Sequence, residues 1–202
     1  RFEDLGGRKV ALRYDQTVPL ARVVAQYANQ LPIPFKRYQI QPVWRAENPQ
    51  KGRFREFLQC DADIVGSTAA LSDTEVIRVA GKSLKALGFE KFTIFINSRE
   101  ILKKSGASQN FLRILDKQDK VSKEDFLKLI AEAKEFDQQA YEYLKNSQPS
   151  DDPSLKEVFK NRGDYNFLYW PTLARGLNYY TGIIFEIKID GYTAGAVCGG
   201  GR

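Results

Sequence analysis

The stretch VWRAENPQKGRFREFLQCDADIV, residues 43–65, carries most of the fold prediction. Two runs of alternating polar and apolar residues flank a short loop of Asn, Pro, Gln, Lys, Gly and Arg. This pattern is typical of two antiparallel strands joined by a loop. We therefore predict paired strands over residues 35–47 and 54–65.

The second of these strands has two chemically different faces. Because alternate residues of a strand share a face, we expect one face to be apolar and to join the core, formed by Leu58, Cys60, Ala62 and Ile64. The opposite face displays Gln59, Asp61 and Asp63. Arginine clamps phosphate through bidentate hydrogen bonds, and carboxylates hold ammonium groups. The basic and acidic residues at the loop are Arg45, Glu47, Lys51, Arg53 and Arg55. A ligand with a phosphate and an amine fits this pattern, and an ordinary solvated sheet face is the alternative.

The composition excludes several classes of protein. The chain has 202 residues, of which 43% are hydrophobic and 28% charged, as expected for a globular protein. No apolar run approaches the ~20 residues that a membrane helix requires. Cys60 and Cys198 show no CxxC spacing, which argues against a zinc site or a disulfide scaffold and indicates a reducing, cytoplasmic compartment. The absence of His from the chain excludes His-dependent triads and His-ligated metals within it.

Positive charge is concentrated at the beginning of the chain. Residues 1–55 hold 11 Lys and Arg against 4 Asp and Glu, whereas residues 98–167 hold 13 of each sign. Such clustering suits a polyanionic partner, either a nucleotide or a nucleic acid, and surface solvation is the alternative. The chain lacks Met and stops at CGGGR, so we expect a piece of a longer protein.

The remaining patterns predict an α+β core interrupted by a helical insertion over residues 98–167. The other predicted strands cover 9–15, 91–97 and two segments from residue 168 onward. The predicted helices cover 17–32 with Thr17 as its cap, 72–88 with a capping box at Ser72 and Glu75 and a terminal Gly88, and 122–146.

Three segments together resemble one enzyme family. FKRYQIQPVWRAENPQKGRFREFLQCDADIVG, which includes residues 35–66, resembles motif 2 of class II aminoacyl-tRNA synthetases in its histidyl-tRNA synthetase form. LARGLNYYTGIIFE (173–186) is similar to the histidine-specific signature RGLDYYTG. FEDLGGRKVALRYDQTVPLAR is similar to the segment leading into the first substrate-binding loop. The resemblance divides the chain into a first core part (1–97), an insertion (98–167) and a second core part (168–202).

The resemblance implies a fold and an activity. The implied fold is an antiparallel sheet flanked by helices. The implied activity is that of a histidine–tRNA ligase, which activates L-histidine with ATP to histidyl-adenylate and transfers it to tRNA(His). It also implies Mg²⁺ bound with ATP, no protein-bound metal site, a homodimer and no membrane association.

Matching the motifs residue by residue implies two groups of site residues. Arg45 and Arg175 would hold the α-phosphate, Glu47 would contact the adenine side, and Arg53 would reach the other ATP phosphates. The histidine-binding residues would be Asp15, Thr17 and Gln59 at the α-amino group, Asp63 and Tyr180 at the imidazole, and also Arg175 and Tyr179.

One position departs from the family pattern, and the spacing of two other residues requires an irregular backbone between them. Asn178 stands where the common signature has Asp, and we expect this position to be supporting. Arg175 and Tyr180 are five positions apart, so Gly176 would have to permit a bulge or turn. The glycines 199–201 resemble the strand near the substrate floor, and a tight turn is the alternative.

Two other functions remain open at the level of sequence. The first is a non-catalytic, histidine-binding paralogue, the regulatory subunit of ATP phosphoribosyltransferase, which would be expected to lose part of the ATP-binding set. The second is an RNA-binding module supported by the basic segment 1–55. That reading does not explain the acids of DAD and the tyrosines of NYY.

Overall fold

The computed structural model describes residues 1–49, 52–118, 121–133, 137–175, 179–193 and 195–202. The chain divides into two compact units, Arg1–Ser67 and Thr68–Arg202. The division into two core parts and an insertion stays a prediction.

The first unit is built around one strand pair. Its elements are β1 (Phe2–Glu3), β2 (Lys9–Val10), α1 (Thr17–Tyr27), β3 (Phe35–Trp44) and β4 (Glu56–Val65). β3 and β4 are antiparallel, with Arg37 opposite Asp63 and Gln41 opposite Gln59. The predicted strand pair is therefore confirmed, while the predicted strand over 9–15 is limited to the two residues of β2, which pair with β1.

The residue that caps α1 differs from the expectation. Gln16 occupies the N-cap position without a side-chain cap bond. The Oδ1 atom of Asp15 instead accepts a hydrogen bond from the backbone N–H of Val18 at 3.1 Å. The prediction that Thr17 caps this helix was wrong, because Thr17 is already its first helical residue.

The apolar face of β4 is not a core face. Leu58 is 68% exposed and Cys60 is also exposed, whereas Gln59, Asp61 and Asp63 on the other face are half-buried. The strands alternate as expected, but the prediction that Leu58 and Cys60 join the core was wrong. The reason is that the turn before α1 packs on the polar face, where Gln16 donates to the carbonyls of Gln41 and Gln59 and its own carbonyl accepts a bond from Arg37.

The second unit combines seven helices, one of them a 3₁₀ turn, with a four-stranded sheet among its described residues. The helices are α2 (Ala70–Ala86), α3 (Arg99–Lys104), α4 (Gln109–Leu115), α5 (Lys123–Glu132), α6 (Gln138–Asn146), the 3₁₀ turn Pro149–Asp151 and α7 (Pro153–Lys160). The strands are β5 (Phe92–Ser98), β6 (Phe167–Tyr169), β7 (Ile183–Ile189) and β8 (Cys198–Gly201). The sheet order is β6-β5-β7-β8, in which β5 and β6 are parallel and the other neighbours antiparallel.

One face of this sheet supplies the main core. Ile94 and Ile96 of β5 and Ile187 of β7 are fully buried. Phe111 of α4 and Phe126 of α5 belong to the same cluster, so helices between residues 98 and 167 pack against the sheet residues. Each such side chain contributes about 1.5–3 kcal/mol through its removal from water.

The two ends of α2 can be compared with the terminal glycine and the capping box that the sequence predicts. Gly88, with φ of 88°, follows the helix, and Phe89 N–H bonds back to the carbonyl of Leu84 at 3.0 Å, so the terminal glycine is confirmed. The capping box at Ser72 and Glu75 was wrong, because the helix begins at Ala70 and its N-cap residue makes no side-chain cap bond. Across the described ranges, no helix is both long and apolar enough to cross a membrane.

Candidate active site

Arg45 is held in place at the end of β3 by several contacts. Its Nη2 donates to Oε1 of Gln59 at 3.0 Å, and its Nε donates to the carbonyl of Tyr14 at 3.1 Å. Its backbone N–H donates to the carbonyl of Arg55 at 2.8 Å, and its guanidinium lies 5.1 Å from the ring centroid of Phe57. The structure thus brings Arg45 and Gln59, two of the predicted site residues, into direct contact.

Asp63 forms an ion pair across the strands. Nη2 of Arg37 lies 2.8 Å from Oδ2 of Asp63. Burial raises the pKa of the Asp63 carboxyl, with the charge of Asp61 adding to the rise and Arg37 opposing it. Sequence reasoning missed Arg37. The signal that could have found it is the strand register, because residues on the same face of paired strands lie directly opposite each other.

Polar side chains continue along the same face on both strands. Arg37 also donates to Oε1 of Gln39, and Nε2 of Gln39 donates to Oε1 of Gln41 at 3.1 Å. On β4, Nε2 of Gln59 donates to both carboxylate oxygens of Asp61, at 2.9 and 3.0 Å. This polar face, defined by Arg37, Gln39, Gln41, Gln59, Asp61 and Asp63, is half-buried throughout.

Asp15 offers a buried acceptor at the start of α1. Its residue is only 4% exposed, and its Oδ2 has no hydrogen-bond partner among the described residues. The next residue, Gln16, anchors this turn to both strands, because its Nε2 donates to the carbonyls of Gln41 and Gln59 at 3.2 and 2.7 Å. A buried carboxylate oxygen of this kind requires a donor, and an ammonium group can supply one. Thr17, half-buried, follows in the first turn of α1.

Two predicted ATP contacts lie in the exposed loop between β3 and β4. Glu47 and Arg53 are both exposed, and the carbonyl of Glu47 accepts a bond from Nε of Arg55 at 3.2 Å. Lys51, which the charge pattern also placed in this loop, lies outside the described residues.

Arg175, in the second unit, is paired with a buried acid. Its Nη1 lies 2.8 Å from Oε1 of Glu186, and the two side chains are 20% and 10% exposed. Burial alone would lower the pKa of the guanidinium, but the charge of Glu186 and its hydrogen bond, together with Tyr180, raise that pKa overall. Arg175 is therefore a fixed positive charge. Glu186 was missed, although a lone acid in the apolar run GIIFEIKI was a usable signal.

Tyr180 lies beside Arg175. The guanidinium carbon of Arg175 is 6.0 Å from the ring centroid of Tyr180, which is buried. The rings of Tyr179 and Tyr180 meet edge to face with centroids 4.7 Å apart. The bulge or turn proposed at Gly176 and the substitution at Asn178 lie outside the described residues.

The glycines of β8 form a strand that passes very close to Arg175. Gly199 is opposite Glu186 in the sheet. A Cβ atom on Gly199 would lie 2.2 Å from Nη1 of Arg175 and 2.7 Å from its Cζ. The glycine run is a strand rather than a tight turn, and Gly199 leaves the space that the guanidinium occupies.

The predicted site residues therefore form one set in each unit. The first unit holds Asp15, Thr17, Arg45, Glu47, Arg53, Gln59 and Asp63, and the second holds Arg175, Tyr179 and Tyr180. That the two sets share one cleft stays a prediction. Within the part of the chain that the structure describes, no group of three or more His, Cys, Asp or Glu residues is arranged to hold a metal ion.

Known proteins match this chain over its whole length. Residues 1–148 match the family model described as Histidyl-tRNA synthetase. The histidine–tRNA ligase of Wolinella succinogenes is 41% identical over 244 aligned positions, which cover 100% of this chain and 54% of that protein. The histidine–tRNA ligase of Treponema denticola is 37% identical, with 100% of this chain and 53% of that protein covered. The chain thus spans about half the length of the curated relatives it matches.

Solved structures share the fold, and the α+β prediction is confirmed. Histidyl-tRNA synthetase from Nostoc sp. PCC 7120 superposes with a TM-score of 0.68 and 30% identity, over 95% of this chain and 52% of that chain. A Bacillus halodurans protein, described as an ATP phosphoribosyltransferase regulatory subunit/histidyl-tRNA synthetase, superposes with a TM-score of 0.78 over 100% of this chain and 60% of that chain. Its identity of 20% shows the fold alone. Because the family model covers residues 1–148 and curated relatives align with the whole chain, this chain belongs to the histidyl-tRNA synthetase family.

Proposed function

We propose that the complete natural protein is a histidine–tRNA ligase, which activates L-histidine with ATP and transfers the histidyl group to tRNA(His). The observation that carries the proposal is the 3.0 Å hydrogen bond from Arg45 to Gln59. It joins a predicted phosphate-binding residue to a predicted amino-binding residue within one strand pair. The family membership of the chain supports the same activity.

The first reaction forms histidyl-adenylate. A carboxylate oxygen of histidine attacks the α-phosphorus of ATP, the new oxygen–phosphorus bond forms, and the bond to the leaving pyrophosphate breaks. Negative charge grows on the nonbridging oxygens of the α-phosphate. Arg45 and Arg175 stabilise this charge as fixed donors, and losing one such donor typically costs on the order of 3 kcal/mol in the barrier.

Histidine is held at its two ends. Oδ2 of Asp15, which has no hydrogen-bond partner among the described residues, accepts a hydrogen bond from the α-ammonium group. Thr17 lies two positions further along the chain, and the backbone carbonyl of Gln59 is bonded to the neighbouring Gln16. Asp63 and Tyr180 bind the two imidazole nitrogens, and Tyr179 packs against Tyr180. A site that leaves its own polar groups unpaired discriminates strongly against amino acids with apolar side chains.

The phosphates of ATP meet the exposed part of the strand pair. Arg53 reaches the outer phosphates and Glu47 contacts the adenine side. Mg²⁺ comes with ATP and neutralises its phosphate oxygens, as is usual for this ion. We place the complete protein in the cytoplasm as a homodimer.

The test is Arg175→Ala in the complete natural protein. We expect histidine-dependent ATP–pyrophosphate exchange to fall at least ~100-fold, since a transition-state donor is removed, while histidine binding, measured by calorimetry, survives. Arg113→Ala is the matched control, because Arg113 is an exposed residue of α4 that bonds only to nearby Asn110 among the contacts described. Undiminished exchange by Arg175→Ala would remove Arg175 from the reaction. A wild-type protein that binds histidine but catalyses no exchange would instead favour the regulatory paralogue.

A further inference from the structure

Among the charged residues of the polar face that have no role in the proposed function, Arg37 is the most firmly held. Besides its ion pair with Asp63, it donates to Oε1 of Gln39 and, at 3.4 Å, to the carbonyl of Gln16. Its side chain is only 11% exposed, against 27% for Asp63. The guanidinium is therefore anchored by three groups from β3, β4 and the turn before α1.

The ion pair changes what Asp63 can recognise. Arg37 engages Oδ2 of Asp63, and a carboxylate has a second oxygen, here Oδ1, that can accept a hydrogen bond from a ring N–H. An isolated buried carboxylate attracts cations, whereas a carboxylate paired with a guanidinium has no net charge to offer a second cation. The pair is thus suited to a neutral donor.

Other charges nearby do not substitute for Arg37. On β4 the neighbouring carboxylate of Asp61 adds negative charge, and it is bonded to Gln59 rather than to a cation. Asp15 adds another negative charge at the turn before α1. Arg45 supplies a positive charge, but it is directed to Gln59 and the carbonyl of Tyr14. Arg13, in the segment before α1, supplies another positive charge, and its Nε donates to the carbonyl of Pro42 at 3.0 Å. Without Arg37, this part of the first unit would carry three carboxylates against two guanidiniums.

We propose that Arg37 neutralises Asp63 so that the site selects the neutral imidazole of histidine and rejects the protonated form. This inference rests on the proposed function, in which Asp63 binds the imidazole. Arg37 is a positioning residue: it acts on the substrate through Asp63, and it makes histidine recognition dependent on the protonation state of the substrate.

The experiment measures the KM for histidine in ATP–pyrophosphate exchange between pH 5.5 and 8.0, using the complete natural protein. The imidazole pKa is about 6.5, so a site for the neutral ring sees about a tenfold rise in KM one pH unit below that value. We expect this rise in the wild type. In Arg37→Met we expect a higher KM at pH 8.0, and a rise of less than about threefold towards pH 5.5, because the unpaired carboxylate now accepts imidazolium.

Three further variants separate charge from structure. Arg37→Lys restores a cation and should restore the steep dependence of KM on pH. Lys36→Met is the matched control, since Lys36 is the adjacent residue of β3 on the opposite, exposed face and loses the same charge. Arg37→Met combined with Asp63→Asn removes both charges, so its KM should again rise steeply below pH 6.5. The double variant contains no buried unpaired carboxylate at position 63, so it replaces Arg37→Met in the measurement if that single variant does not fold.

The outcomes distinguish this inference from the proposed function. A wild type without histidine-dependent exchange contradicts the proposed function. A wild type with exchange but with a flat KM below pH 6.5 overturns the role of Arg37. The role of Arg37 is also overturned if the KM of Arg37→Met rises more than about threefold towards pH 5.5. If that variant does not fold, the role is overturned when the KM of the double variant does not rise steeply below pH 6.5.

Discussion

Gly199→Ala is expected to displace Arg175 without altering any group that contacts a substrate. Gly199 is not among the described glycines with positive φ, so alanine can adopt its backbone conformation. The new Cβ would lie 2.2 Å from Nη1 of Arg175, whereas ordinary contact begins near 3.4 Å. The guanidinium must therefore move by roughly 1.2 Å or more, because the side chain is flexible and the strand is not.

The cost of this movement follows from the partner of Arg175. The ion pair with Glu186 measures 2.8 Å, and the Glu186 side chain is only 10% exposed. Breaking a buried pair outright costs about 3–5 kcal/mol. Since the displaced guanidinium remains nearby, we expect a loss of about 1–3 kcal/mol in the free energy of unfolding. A misplacement of about 1 Å in a catalytic group can also cost about 100-fold in rate.

A double-mutant cycle provides the assay. Denaturant unfolding of the wild type, Gly199→Ala, Arg175→Ala and the double variant measures the coupling between the two positions. Truncation of Arg175 removes the three atoms nearest to the new Cβ at position 199, so the second substitution should add less than about 0.5 kcal/mol. In the complete natural protein, Gly199→Ala should lower kcat/KM for exchange about 100-fold.

Additive losses of stability in this cycle would show that Gly199 acts through something other than Arg175. Wild-type stability and exchange in Gly199→Ala would show that the guanidinium is not confined as described. Either result would contradict the close approach on which the expectation depends.

Two predictions concern the stability of the second unit. Burial raises the pKa of Asp73 to about 6 against the opposing charge of Arg202, so the native state keeps a proton that the unfolded chain releases near its ordinary value of 3.8. The stabilisation from this group therefore falls as pH rises from about 4 to about 6. Over that range the free energy of unfolding of the wild type should fall by about 1 kcal/mol relative to that of Asp73→Asn, after allowance for solvent screening. Parallel curves of unfolding free energy against pH for the two proteins would contradict this. Ile96→Ala should cost about 2–5 kcal/mol in denaturant unfolding, because Ile96 is fully buried. Leu168→Ala, at a half-exposed position of the adjacent strand, should cost less than about 1 kcal/mol, and equal losses would contradict the assigned core.

Much of the secondary structure could be predicted because it depends on local patterns. The period-two alternation and the polar loop indicated β3 and β4, and the run GIIFEIKI indicated β7. Gly88 marked the end of α2, since a residue at positive φ is needed there. The capping box at Ser72 and Glu75 failed because the same residue types also occur inside a helix, where only the surrounding contacts determine the first turn.

Family motifs in the sequence identified which residue types form the candidate site. Arg45, Gln59 and Asp63 could be chosen from the strand alternation and the motif, and the contact between Arg45 and Gln59 agrees with that choice. Glu186 and Arg37 were not chosen, because their importance lies in partners 11 and 26 positions away in the chain. Alternation assigns a side chain to a face, but it does not specify the residue that lies opposite.

The linear pattern of this chain was sufficient for its α+β class, its strand pair and its family signature, since each depends on residues close together in sequence. Three-dimensional packing was needed to show that Leu58 is exposed while the polar face is half-buried. It was also needed to show that Arg37 and Glu186 form ion pairs with the candidate site residues Asp63 and Arg175. Burial and ion pairing depend on neighbours brought together from distant parts of the chain, and no short segment contains that information.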